Sequence, residues 1–121
     1  MASQDYSQKN LDVVAAHFHS EELNDIETAL ELYTDDIVWE APARGLIFKG
    51  KRDVAENYYK IFGSVENVSF KNLDRFATVD RVTDDSIVSF TITKEGYLPF
   101  SIGQKVEMRL VHIFEMREGK I

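Results

Sequence analysis

Cysteine is missing from this 121-residue sequence, proline occurs twice and tryptophan once. The absence of cysteine excludes disulfides, thiolate metal sites and cysteine nucleophiles, and it suits a reducing compartment. No apolar run approaches the roughly 20 residues needed to span a bilayer, so no membrane partner is expected. The polar opening MASQDYSQKN lacks an apolar core and does not read as a signal peptide. Positive charge is also in short supply, with 14 Lys and Arg against 21 Asp and Glu for a formal net charge of -7. The basic residues are scattered, and a phosphate backbone would be repelled, so nucleic acid is excluded as a partner. A cytoplasmic domain is the expectation.

The 44% of hydrophobic residues is enough for one domain with one core. Leu11, Val14, Ala15 and Phe18 fall on one side of a first helix, with Asp12, His19 and Ser20 opposite and Val13 and His17 on a flank. Asn24 reads as the N-cap of a second helix, with Glu27 at the capping-box position and Ile26, Ala29, Leu30 and Tyr33 as its stripe. Ile37 to Ala41 reads as a short strand stopped by Pro42. A Gly-Leu-Ile-Phe-Lys-Gly turn then leads into a third helix from Lys51, whose buried stripe is Val54, Tyr58, Ile61 and Phe62.

From Asn67 the period changes towards 2, with strands near 68–79, 86–95 and 104–117. In the last of these Val106, Met108, Leu110, His112, Phe114 and Met116 alternate with charged residues, except that Val111 and Ile113 are apolar on the charged face. A second copy of the chain would cover those two, so a homodimer through the outer sheet face is expected. Two tolerated surface residues are the plainer reading. Helices followed by antiparallel strands give α+β.

Several motifs occur in a familiar order: Asp25-Ile26-Glu27, Tyr33-Thr34-Asp35-Asp36, Val38-Trp39-Glu40-Ala41-Pro42, Gly50 before the third helix, and the closing Glu118-Gly119-Lys120-Ile121. The loop from Gly96 to Gln104 is similar to the Gly-rich hairpin of SnoaL-like sequences. From Leu11 onward the chain resembles the nuclear-transport-factor-2-like superfamily, and within it the SnoaL-like branch. That resemblance implies a cone-shaped α+β barrel. Three N-terminal helices would close a strongly curved, mostly antiparallel mixed sheet around a pocket, in a single domain over residues 1–121. Residues 1–9 are expected to be flexible, and the family's usual last strand after Ile121 to be absent, leaving an edge.

The superfamily contains ketosteroid isomerases, polyketide cyclases, dehydratases, epoxide hydrolases and members without known catalysis, so the fold leaves function open. Matching the isomerase pattern puts its general base on Ala41, its oxyanion-hole Tyr on His17 and its protonated Asp on Leu110. Only the supporting Tyr is retained, as Tyr58, so the chain is not expected to be that isomerase. The carboxylates of an epoxide hydrolase are not evident on the inward register of the last long strand.

Polar work is therefore expected from His112, placed by the resemblance on the pocket wall among Met108, Leu110 and Phe114 as an acid/base group. A core histidine with satisfied ring nitrogens is the alternative. His17 and Tyr58 are expected to hydrogen-bond across the first and third helices, or simply to pack there. Trp39, Ala41 and Phe62 complete the expected apolar lining. Glu40 is expected to face outward and Arg44 to be a solvated turn residue, while Tyr97 to Ile102 form an apolar loop able to lid the pocket or extend a dimer contact. His17 and His19 lie about 200° apart on a helix and cannot share one ion, so no metal and no cofactor is expected. The expected ligand is a small, largely apolar molecule with an oxygen function. The chain would be an isomerase, cyclase or dehydratase acting by acid/base chemistry on an apolar carbonyl compound, or else a non-catalytic binding or dimerisation module.

Overall fold

A computed structural model describes residues 5–121. Helices α1 (Ser7–Glu22) and α2 (Ile26–Glu31) come first, followed by strands β1 (Val38–Ala41) and β2 (Leu46–Lys49), helix α3 (Lys51–Phe62) and the long strands β3 (Val65–Ala77), β4 (Arg81–Ile92) and β5 (Lys105–Glu115). Every strand pairing is antiparallel: β1 with β2, and β3–β4–β5 as a three-stranded sheet. The architecture is the expected α+β one, three helices against curved sheets. Within the stretch 1–9 expected to be flexible, residues 7–9 are helical and 5–6 lead into the helix, while 1–4 lie outside the described residues.

Local chemistry moves several boundaries. Asn24 does not cap α2. It sits at φ 55, turning the chain out of α1, and its side-chain amide donates to the Phe62 carbonyl at 3.2 Å. Asp25 is the cap, accepting from the Thr28 N–H at 3.2 Å. The Leu46–Lys49 stretch, expected to be a turn, is a strand, because a 3-10 turn over Pro42–Arg44 ends at Gly45 (φ 66) and reverses the chain. Trp39 then lies opposite Phe48, ring centroids 5.8 Å apart. Gly50, at φ 86, opens α3, which carries Asp53 in its first turn and Lys60 in its last, each suited to the helix dipole.

The core lies between α1, α3 and the inner face of β3–β4–β5, built from Val14, Phe18, Val54, Tyr58, Phe62, Val82, Ile92, Val106 and Phe114. Strand β5 alternates as expected, with Val106, Met108, Leu110, His112 and Phe114 turned inward and Val111 and Ile113 exposed. The tail folds back: the Ile121 N–H donates to Leu32 and the Thr34 N–H to Ile121. Among the described residues no helix is long and apolar enough to cross a membrane.

Candidate functional site

Helix α1 buries Val14, His17, Phe18 and Glu21, the i, i+3, i+4 and i+7 positions of one face, together with Asn10 and Ser20. Ala15, expected on that face, is exposed. Two of these inward residues are ionisable and both are nearly sealed, His17 at 1% exposure and Glu21 at 5%. His17 Nε2 lies 2.5 Å from the Tyr33 hydroxyl and 3.3 Å from Glu21 Oε1. Its Nδ1 is buried without a partner among the described residues. The hydrogen bond expected between His17 and Tyr58 is instead an edge-to-face ring contact at 6.1 Å, because Tyr33 takes the Nε2 position.

Around the imidazole stand Phe18, Tyr33, Tyr58 and Phe114, with centroids 5.4–6.1 Å away. Such a shell offers no water to an ion. Burial, and then the neighbouring His112, push His17 down to about 3, so its ring is neutral at pH 7. Burial pushes Glu21 up to about 8, with the Tyr58 side chain pulling the other way. The pair is thus a protonated acid beside a neutral base, not an ion pair. Burial also raises both Tyr33 and Tyr58, which stay as phenols.

His112 stands one step away, stacked on Phe114 at 5.5 Å and edge-on to Phe18 at 5.3 Å. Its Nδ1 too is buried without a partner among the described residues. Burial lowers its pKa, and Asp84 opposes that shift. Asp84 lies directly across the β4–β5 pair from His112 and is fully buried. Its carboxylate accepts from Arg75 Nε (2.7 Å), Asn72 (2.8 Å) and Ser86 (2.7 Å). A polar row, Arg75–Asp84–His112, therefore crosses the inner sheet face, with Phe18 above it and the Arg75 guanidinium 5.4 Å from that ring.

The structure brings His17, Tyr58, His112, Phe114 and Phe62 together, Phe62 stacking on Tyr58 at 5.8 Å. Trp39 reaches the group through Tyr58, ring centroids 6.5 Å apart. Met108 and Leu110 share the inner face of β5, half-buried. Ala41 is half-buried at the far end of β1, opposite Leu46, and Glu40 and Arg44 are exposed. The 93–104 loop lays Leu98 and Phe100 on the core, and the Tyr97 hydroxyl donates to Asn57 Oδ1. Among the described residues no group of three or more His, Cys, Asp or Glu is placed to hold a metal ion. Two surface clefts of about 350 and 360 Å³ lie elsewhere, one over Phe90, Val106 and Glu107, the other over Tyr59, Lys94 and Tyr97.

Glu21, Tyr33 and Asp84 are the buried polar members of this cluster that sequence reasoning missed. Glu21 had a signal, since it is four residues from His17 and seven from Val14 on one stripe. Asp84 shares its strand parity with the apolar Val82 and Val88.

The SnoaL-like domain family model matches residues 14–121. No curated protein matches the chain. Among solved structures, an LEH-like epoxide hydrolase of M. tuberculosis superposes with a TM-score of 0.76 at 18% identity, covering 94% of this chain and 77% of that one. A proposed polyketide cyclase of a Silicibacter species gives 0.76 at 23% identity, covering 94% and 84%. A hypothetical protein of ketosteroid isomerase-like fold from Catenulispora acidiphila gives 0.73 at 16%, covering 89% and 78%. At such identities the likeness concerns the fold, while the family rests on the match over 14–121. The chain belongs to the SnoaL-like domain family.

Proposed function

We propose that the chain binds a small, largely apolar molecule bearing a carbonyl oxygen on the inner sheet face beside His112, over the half-buried Met108 and Leu110. There it moves a proton on that molecule, as an isomerase, cyclase or dehydratase does. The observation that carries this reading is the neutral His112 ring, set in an apolar wall with Nδ1 buried and, among the described residues, unpartnered. An orphaned buried polar atom costs about 1–3 kcal/mol, and a bound oxygen or an acidic C–H would relieve it. Family membership and the folds of the cyclase and hydrolase neighbours are compatible with such chemistry.

In this reading His112 Nδ1 takes the proton from the carbon beside the carbonyl, and that C–H electron pair becomes the C=C of an enolate. Asp84, opposite His112, favours the imidazolium while it lasts. The proton then returns to a different carbon. His17 and Tyr58 orient the oxygen, and Trp39, Phe62, Met108, Leu110 and Phe114 supply the apolar walls, with Ala41 towards the hairpin end. The cytoplasm is the compartment we assign.

A thermal-shift series with ketones, enones and polyketide-like aromatics tests this, comparing wild type with His112→Ala. Stabilisation of wild type alone is expected, and identical shifts in both proteins would count against a His112 site. A second reading, a module that pairs with its own copy, is favoured by the outer sheet face. There Phe76, Thr83 and Ile113 form one cross-strand row, and Val111 and Ile113 are 61% and 68% exposed. Sedimentation velocity should give a dimer for wild type and a monomer for Ile113→Lys. A wild-type monomer removes that reading.

A further inference from the structure

The 93–104 loop has no part in the chemistry proposed above, yet it closes one end of the inner sheet face. Across β4 and β5 that face is a ladder of four inward rows, Asp84–His112, Ser86–Leu110, Val88–Met108 and Phe90–Val106. Phe100 stands at the last row, edge-on to Phe90 with ring centroids 6.4 Å apart. Leu98 joins it against the core, and both are half-buried. A molecule lying over Met108 and Leu110 therefore has the His112 ring towards one end and the Phe100 ring towards the other.

What holds Phe100 there is local. The stem of the loop is pinned, the Thr93 N–H donating to the Ser64 carbonyl at 2.8 Å and the Gly103 N–H to the Ile92 carbonyl at 2.8 Å. Between these anchors the Phe100 N–H donates to Leu98, the Ser101 N–H to Gln104 Oε1 and the Ile102 N–H to Glu95 Oε1, all inside the loop. Among the described residues, the hydrogen bond that ties 95–102 to the rest of the fold is the Tyr97 hydroxyl donating to Asn57 Oδ1 on α3. Asn57 is 1% exposed, and its Nδ2 has no partner among the described residues. That orphan donor would find water if the loop lifted, which offsets part of what the Tyr97 bond contributes. Beside this latch the seam with the end of α3 is unfilled, a cleft of about 360 Å³ bordered by Lys60 and Tyr97. Phe100 is thus seated but not locked.

We propose that Phe100 determines ligand length: it is the end wall of the site that begins at His112, held in place by the Tyr97–Asn57 latch. The inference rests on the carbonyl-ligand reading given above and adds the size class of the ligand. From the His112 row to the Val106 row is about 20 Å of strand, at ~3.4 Å per residue. Contact distances of about 3.5–4 Å at each end ring leave roughly 13 Å for the ligand. An extended chain of about ten carbons fills that length. The floor between the end rows is Met108, Leu110, Val88 and Ser86, and the Ser86 hydroxyl already donates to Asp84 at 2.7 Å. No free donor meets the far part of the ligand there. The ligand class is therefore an uncharged ketone, apolar from its carbonyl to its far end and limited to about that length.

Calorimetric titration of the full chain with straight-chain 2-alkanones, from 2-hexanone to 2-tetradecanone, reads the wall. In wild type the affinity should rise about fourfold per methylene until the chain has about ten carbons, and then stop rising. In Phe100→Ala the rise should continue past that point, with shorter chains binding as in wild type. Tyr97→Phe keeps the ring and loses the latch. It should raise the affinity of chains beyond the break by up to about tenfold and leave shorter ones unchanged, which decides the matter if Phe100→Ala fails to fold. A loop that only stabilises the fold would change all chain lengths alike, and that result overturns the wall. Affinity that climbs through the whole wild-type series, or a break that stays put in both variants, overturns the wall and leaves the carbonyl reading standing. A break that moves in Phe100→Ala, while His112→Ala binds every alkanone as wild type does, keeps the wall and removes the carbonyl reading. If no alkanone binds to any of these proteins, both fall.

Discussion

Glu21→Gln gives the sharpest consequence of the buried acid for stability. The side chain keeps its size and one carbonyl-type oxygen, and loses the ability to ionise. In the folded protein Glu21 holds its proton up to about pH 8, against 4.5 for the ordinary group. Between those values the native state carries a proton that the unfolded chain has released, so stability falls as pH rises by about 1.4 kcal/mol per unit. The contribution is fully present below 4.5 and gone once pH passes 8. His17 works the other way. Its ring is neutral down to about 3 in the fold but accepts a proton below 6.5 when unfolded, so its contribution is present above 6.5 and lost on acidification. His112, also lowered, has the sign of His17. The two trends offset one another between 4.5 and 6.5, and above 6.5 Glu21 acts alone. Wild type should therefore be most stable near pH 6.5 and lose on the order of 2 kcal/mol by pH 8. Urea unfolding followed by the fluorescence of Trp39 at half-unit pH steps measures this, with the m-value checked for constancy. Glu21→Gln should be flat from 6.5 to 8 and fall more steeply than wild type below 6.5. A wild-type curve flat across 6.5–8, or the same decline in both proteins, would refute a protonated Glu21 in the fold.

Other consequences follow from the same packing. Phe114→Ala removes a ring in contact with His17, Phe18 and His112 and should cost about 3–5 kcal/mol in urea unfolding. Asp84→Asn leaves the largely buried Arg75 guanidinium without its counter-charge, at a cost of about 3–5 kcal/mol. By removing the charge that opposes burial, it should also lower the His112 pKa further, read from the imidazole NMR signals. Tyr97→Phe removes the donor to the buried Asn57 and should cost about 1–3 kcal/mol, with faster hydrogen exchange confined to the 93–104 loop.

The parts of the fold that were legible in the sequence are those where one pattern dominates. Strand β5 could be read because its inward positions recur at every second residue from Val106 to Phe114 despite the apolar Val111 and Ile113 opposite, and α3 because its apolar stripe is continuous. The second strand of the hairpin was not legible, because Leu46–Lys49 is only four residues long and its identity depends on Gly45 and Gly50 adopting positive φ at either end. The cap of α2 was misread by one position, since Asn24 and Asp25 are both good caps and only the turn out of α1 selects Asp25.

Within the site, His17 and His112 were visible as polar residues near or on apolar stripes. Glu21 was not, because a glutamate on a helix ordinarily faces water, and its burial follows from the aromatic shell that α3, the Tyr33 segment and β5 build around α1. Asp84 was hidden for a similar reason: its partners Arg75 and Asn72 come from β3, and the register shift between Asn72 and Asp74 lets the Asn72 amide reach its carboxylate.

The most direct test of the site is the 15N spectrum, histidine side chains and backbone amides together, of the uniformly labelled protein during titration with an apolar cyclic enone. Saturable movement of the His112 and His17 signals, with His19 unmoved, is the expected result. Movement confined to amides around Phe90 and Glu107, or around Tyr59 and Tyr97, would place the ligand in a surface cleft and contradict the account.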